Sequence, residues 1–332
     1  MQTKSILRTA WESVTSPGIG KLPLLTGYEQ TKLSWARAVE SYDQLPEAFQ
    51  DFFKTLLDDT STFPYAVRTP TFEGYIWREN EKLISSLDGK IYVLERTGDK
   101  LSFACYPLED ISYLEVGTIL LDSWIKISGV ANSGVLTSST LRFNSVTEYL
   151  FTPILAKIRP APSTPGDTAQ SSERAKFDYL MHLNFKFMNY ARRSLVPGEK
   201  VIHTVLQPEI RARILTLFGR SWSRTISTAH LGILTDRELI MIRDERGAWR
   251  GDKTRYGGVW NYIPLDKITS ISLTPKNDDL LVLSIHLPQD DHIDSLFSVS
   301  NRPEVELLLN QFETLMPGVT TKDKNTQTSH SQ

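Results

Sequence analysis

The five-residue pattern Pro-Leu-acidic-x-Ile occurs twice in this chain, at 107–111 and 264–268, and the surroundings of the two copies match as well. Upstream, Asp88 is followed by the apolar run Ile91, Tyr92, Val93 and Leu94. Asp236 is followed at the same offsets by Leu239, Ile240, Met241 and Ile242. Downstream of each isoleucine, apolar residues fall at the third and fifth positions: Leu114 and Val116, then Ile271 and Leu273. Side chains two apart share one face of a strand, so each pair predicts a half-buried strand. Chance supplies any one of these matches. The ordered set points to an internal duplication, which limits the fold to one supersecondary unit written twice.

Each copy opens and closes with a helical pattern. "LPEAFQDFFKTLL" (45–57) and "ERAKFDYLMHLNFKFMNYARRSL" (173–195) carry apolar residues at helical spacing. At the close of the second copy, Ser300 or Asn301 serves as N-cap and Pro303 sits in the first turn. Val305, Leu308, Leu309, Phe312, Leu315 and Met316 then form one stripe. The first copy closes with Leu150, Phe151, Ile154, Leu155 and Ile158, where Pro153 predicts a kink or a late helix start. Short strands broken by "DGK", "RTGDK", "PKNDD" and "PQDDH" lie between. The segment 159–173, rich in Pro, Ser and Thr, is read as a linker. The expected division is therefore a partly irregular segment 1–40, a helix plus first unit 41–158, the linker 159–173, a helix plus second unit 174–318, and a disordered polar tail 319–332.

"GEKVIHTV…LGILTDRELIMI…IPLDKITSISL" (198–273) resembles the bacterial pleckstrin-homology-like and GRAM group. The resemblance covers most of the second unit and reaches the first through "DGKIYVL…YPLEDISYLEV". It implies an α+β fold of two tandem pleckstrin-homology-like units, each an antiparallel barrel or curved sheet capped by a C-terminal helix. It brings no catalytic residue with it.

Two stretches are candidate binding surfaces. From Asp88 to Pro107 is 19 residues, and from Asp236 to Pro264 is 28, so the second copy is nine residues longer there. The extra length falls around "RDERGAWRGDKTRYGGVW", which offers Arg246, Arg250, Lys253 and Arg255 with Trp249 and Tyr256. Gly247, Gly251, Gly257 and Gly258 are read as giving this excursion backbone freedom, while Asp244, Glu245 and Asp252 offset its charge. The plain reading is a solvated hairpin tip; the alternative is a binding loop, since arginine and aromatics are enriched at interfaces. "RARILTLFGRSWSRTIS" (211–227) adds Arg211, Arg213, Arg220 and Arg224 with Trp222 and no acidic residue. The resemblance makes this segment the first hairpin of the second unit, which in eukaryotic relatives commonly carries the basic lipid-headgroup site, and so implies an anionic-lipid surface.

Other chemistries find less support. Cys105 is the only cysteine, which excludes intrachain disulfides and thiolate-rich zinc sites, and its apolar setting reads as core packing. Asp290, Asp291, His292 and Asp294 form a polar turn with no second cluster to complete a ligand set. "GIGK" (18–21) lacks phosphate-loop spacing, and neither HExxH nor GxSxG occurs. No apolar run approaches a membrane span of about 20 residues. A net charge of −2 argues against nucleic acid as partner. The expectation is a cytoplasmic, non-enzymatic scaffold that recognises a protein partner, with no cofactor and no metal. Peripheral association with anionic membrane at its inner face is the alternative, and an enzyme of unrecognised type the third.

Overall fold

The computed structural model describes residues 35–57, 62–73, 78–132, 134–162, 167–217, 220–245 and 257–323. The first copy runs β1 (Arg37–Val39), α1 (Glu47–Leu56), β2 (Ala66–Thr69) and a short hairpin of β3 (Phe72–Glu73) and β4 (Arg78–Glu79). It continues with β5 (Glu81–Leu87), β6 (Lys90–Thr97), β7 (Lys100–Pro107), β8 (Ile111–Ile119), β9 (Asp122–Ala131), β10 (Val135–Asn144) and α2 (Thr152–Ile158). The second opens with α3 (Asp167–Ala175), α4 (Leu180–Leu183), α5 (Phe185–Ser194) and β11 (Val201–Gln207). A hairpin of β12 (Ile210–Leu217) and β13 (Arg220–Ser227) leads to β14 (His230–Thr235), β15 (Glu238–Glu245) and β16 (Gly257–Pro264). Last come β17 (Ser270–Asn277), β18 (Leu280–His286), β19 (His292–Ser298), α6 (Arg302–Leu315) and β20 (Thr320–Asp323). The order strand, hairpin, three strands, turn, three strands, helix is thus met twice.

The described residues make an α+β structure of open sheets, with no closed barrel among them. One sheet has the order β1-β2-β5-β6-β7, and another β10-β9-β8-β16-β15-β14-β11. A third is β19-β18-β17-β20, in which only the β17–β20 pair is parallel.

The repeated Pro-Leu-acidic-x-Ile pattern has a local cause. Proline ends the strand, and a 3-10 turn follows at Leu108–Asp110 and again at Leu265–Lys267. The leucine N–H turns back to donate to the preceding hairpin, Leu108 to Gly89 O and Leu265 to Arg237 O, both at 2.9 Å. Ile111 and Ile268 are then buried just beyond the turn. Alternation does the rest. Ile91 and Val93 enter a core shared by both copies, while Tyr92 and Leu94 pack with α1 on the opposite face. In the same way Ile240 and Ile242 enter the shared core, and Leu239 and Met241 pack with α6.

The copies are joined by backbone. β8 pairs with β16 from Leu114 opposite Tyr262 to Ile119 opposite Gly257, which makes one seven-stranded sheet. Gly257 and Gly258 are therefore strand residues at this joint, not part of a free loop tip. A Cβ on Gly257 would lie 2.3 Å from Thr118 O, and one on Gly258 would lie 2.6 Å from the Tyr190 ring. The reciprocal strands cannot copy this joint: β7 has Lys100 and Leu101 where β16 has the two glycines. β17 likewise has Pro275 where β8 has Thr118, and proline lacks the N–H a ladder needs. Gly257→Ala should cost about 1–3 kcal/mol by overpacking, measured by urea unfolding; an unchanged midpoint would show that the joint relaxes freely.

Three local details complete the fold. Pro153 stands in the first turn of α2, which starts only at Thr152 after a 3-10 stretch from Ser145 to Phe151, a late helix start. The segment 159–173 holds the beginning of α3, in which Ala169, Gln170, Glu173, Arg174 and Ala175 are good helix formers. The polar tail is not wholly irregular: Thr320–Asp323 add a strand to β17. No helix among the described residues is long and apolar enough to cross a membrane.

Candidate functional site

The basic stretch 211–227 folds as the β12–β13 hairpin, a two-stranded sheet of its own. Arg211 and Arg224 are exposed on it, and Arg211 meets the Glu209 carboxylate at 3.0 Å. Arg213, Arg220 and Trp222 occupy strand positions of the same hairpin, with side chains outside the described residues. Arg246, Trp249, Arg250, Lys253, Arg255 and Tyr256 also lie outside the described residues. Cys105 is partly buried against the α1 side of the first sheet. The turn before β19 places Asp291 within 3.5 Å of Ser128 Oγ on the first copy, and no group of three potential metal ligands occurs among the described residues.

A different surface has the better-defined shape. The helical pattern over 173–195 is interrupted because Asn184 leaves the helix, at φ −161°, and caps α5 by accepting a hydrogen bond from Phe187 N–H. The break sends Leu180 inward and leaves Tyr179, Met181, Leu183 and Phe185 exposed, Leu183 at 65% and Phe185 at 60%. Four large apolar side chains exposed within seven residues make a patch that ordinary surface statistics do not require. Beside it runs a groove of about 450 Å³, lined by Tyr179, Leu183, Lys176, Glu304 and the strand residues 201–206 of β11. That volume lies within the range of sites that hold small molecules or peptide side chains. Its polar contacts are few. The Tyr179 and Thr204 hydroxyls share a hydrogen bond of 2.7 Å, and His203 Nε2 lies 3.2 Å from Glu304 O. Burial raises the Tyr179 phenol above its usual range, so at neutral pH it is an uncharged donor and acceptor.

The most perturbed acid lies elsewhere, in the buried seam between the copies. Arg159, just past α2, donates from Nε to both Glu238 oxygens at 3.1 and 3.0 Å, and from Nη2 to Ser194 O at 2.9 Å. Its guanidinium sits 3.6 Å above the Tyr262 ring. Glu199 accepts from Thr235 Oγ1 at 2.7 Å and from Val196 N–H at 2.9 Å, with Arg159 Nη2 4.0 Å away. One cation thus serves two buried carboxylates. Burial, and then the Glu238 charge, push Glu199 up from 4.5 to about 7, and burial pushes Tyr262 up to about 12. The group therefore binds its proton more tightly in the folded chain than in the unfolded one. Below about pH 4.5 that advantage is fully present; it is lost as pH rises through about 7. Glu199→Gln keeps an acceptor for Val196 and removes the titration. The variant should match wild type near pH 4.5 and exceed it by about 2–3 kcal/mol at pH 8. Urea unfolding at the two pH values checks this, and a pH-independent difference would exclude it.

No family model matches the chain, and no characterised protein matches it in sequence. The groove residues were not singled out by sequence, where 173–195 read as one continuous helix. The signal was Asn184, a residue that favours an N-cap over a helix interior.

Proposed function

We propose that this chain is a non-catalytic scaffold that recognises a protein partner through two tandem pleckstrin-homology-like units. The repeated order of strands closed by a C-terminal helix supports the family resemblance, and a cytoplasmic location belongs to the same reading. The observation that carries protein recognition is the exposed run Tyr179, Met181, Leu183 and Phe185 beside the β11 groove. Exposed aromatic and apolar side chains next to a concave surface are what interface hot spots are made of. Membrane association through the β12–β13 hairpin is the second reading. It is supported by exposed Arg224, and weakened where Glu209 already meets the charge of Arg211.

The test compares wild type with Leu183→Arg/Phe185→Arg, both at exposed positions, in quantitative affinity capture from the native host's extract. A parallel arm measures sedimentation with vesicles of neutral phosphatidylcholine, alone or with anionic phosphatidylglycerol. Partners enriched on wild type and lost from the variant, without anionic-vesicle binding, are expected. Equal recovery on both proteins, or strong salt-sensitive binding to the anionic vesicles alone, would overturn the reading.

A further inference from the structure

The two copies differ at one edge. In the first, the outer side of β2 is taken: β1 runs antiparallel along it, with Val39 opposite Ala66, Ala38 opposite Val67 and Arg37 opposite Arg68. In the second, β11 ends the seven-stranded sheet, and no strand among the described residues pairs along its outer side. That side is where the groove lies.

The register shows which residues correspond. Ala66 pairs with Ser85, three residues before Asp88; Thr204 pairs with Ile233, three residues before Asp236. Contacts one residue earlier agree. The Tyr65 hydroxyl donates to Leu150 O at 2.7 Å, and His203 Nε2 reaches Glu304 O at 3.2 Å. Leu150 and Glu304 each stand six residues beyond a cap, Asn144 and Ser298, that accepts from the N–H two residues on. Thr204–Leu206 therefore occupy the place of Ala66–Arg68. What lies opposite them does not correspond. The chain before α5 is coiled into α4 and meets the middle of β11 through side chains, Tyr179 on Thr204.

Building on the protein-recognition reading, we propose that the β11 groove takes a short extended peptide, added antiparallel along Ile202–Val205 in the way β1 is added along Ala66–Arg68. Strand addition to an open edge is a general mode of peptide capture, in which backbone bonds give affinity and alternate side chains give specificity. The ends of the slot set its length. Glu173 accepts from Val201 N–H at 2.7 Å and Lys176 donates to Val201 O at 2.8 Å, while Asn301 donates to Leu206 O at 3.0 Å. The stretch between, 202–205, spans about 13 Å at roughly 3.3 Å per residue, room for three or four paired residues. The side chains follow from the template. Val39, paired opposite Ala66, is buried on the α1 side, Ala36 just before β1 is buried in the shared core, and Arg37 between them is exposed. The peptide residue opposite Thr204, at the place of Val39, is accordingly a branched apolar one, and the residue at the place of Arg37 is polar. Thr147 Oγ1 accepts from Ala36 N–H at 3.3 Å in the first copy; Asn301, at the same distance beyond its cap, offers its side-chain carbonyl to the incoming peptide.

The test uses the full chain. Displayed random octapeptides are selected against it, and the recovered peptides are titrated by fluorescence anisotropy. Two changes are then made separately: proline at the peptide's central residue, and Leu183→Arg in the protein. Micromolar binding that falls at least tenfold with either change is expected, and amide exchange at 202–205 of wild type should slow when peptide is bound. The exchange measurement needs no variant, so it stands even if Leu183→Arg perturbs folding. Failure to recover binding peptides, or equal binding by proline-containing peptides with unchanged exchange at 202–205, would overturn the proposal. Recovered peptides that bind the Leu183→Arg protein unchanged sink the groove but leave protein recognition elsewhere standing; loss of all partner capture sinks that wider reading instead. Dimerisation of the chain that Leu183→Arg abolishes would assign the groove to a second copy and also overturn the peptide.

Discussion

Arg159→Leu is expected to lower stability by about 3–5 kcal/mol at pH 8, the cost of leaving buried carboxylates without their cation. Arg159 bridges Glu238 and Glu199, and it also bonds Ser194 O and covers Tyr262. The loss should shrink toward pH 5, because Glu199, whose folded pKa is about 7, is then protonated and no longer needs the cation. Arg159→Lys retains charge but cannot reach Glu238 and Ser194 O with separate donors while lying flat on Tyr262, so it should recover only part of the loss. Urea unfolding of the three proteins at pH 5 and 8 decides the matter. A loss below 1 kcal/mol at pH 8 would mean that solvent reaches the seam and screens it.

Phe312→Ala is expected to cost about 3–5 kcal/mol, the range for emptying a buried phenylalanine site. Phe312 is 0% exposed and shares the second core with Leu308, Leu309, Leu283 and Ile285. α6 has 14 residues, which is marginal without packing, so its stripe is what holds it on the sheet. Losing Phe312 should also loosen β20, which follows directly and pairs with β17, and faster amide exchange at 320–323 would report this. A cost under 1 kcal/mol would show that the core collapses into the vacated space.

These two residues differ in how readable they were. Phe312 belongs to a helical stripe whose spacing alone places it inward, and the Pro-Leu-acidic-x-Ile pattern likewise encodes a local turn. Such features depend on neighbours within a few residues. Arg159 was hidden in a stretch that composition marks as linker, because its partners Glu199 and Glu238 are far along the chain. Gly257 and Gly258 misled for the same reason: beside arginines and a tryptophan they suggest a loop, and only the approach of β8 explains them. The β11 edge, unpaired among the described residues, was invisible because it is an asymmetry between two copies that the apolar pattern presents as alike. The family resemblance puts the candidate arginines of 211–227 on a hairpin, and the structure has the β12–β13 hairpin there, with the smaller β3–β4 hairpin at the same point of the first copy.

The β8–β16 joint also sets a timetable for synthesis. Ile119 waits for Gly257, which is 257 − 119 = 138 residues later in the chain. At roughly 5–20 residues per second, a ribosome needs about 7–30 s to deliver that partner. During this interval the nascent first copy holds an unpaired strand edge, with the apolar residues Leu114, Val116 and Ile119 along it, ready to pair with any other exposed strand. Folding of the whole must await this one long-range closure, so the finished chain should mature slowly for its size. A ribosome that stalls between the copies would release a product that is sticky rather than merely incomplete.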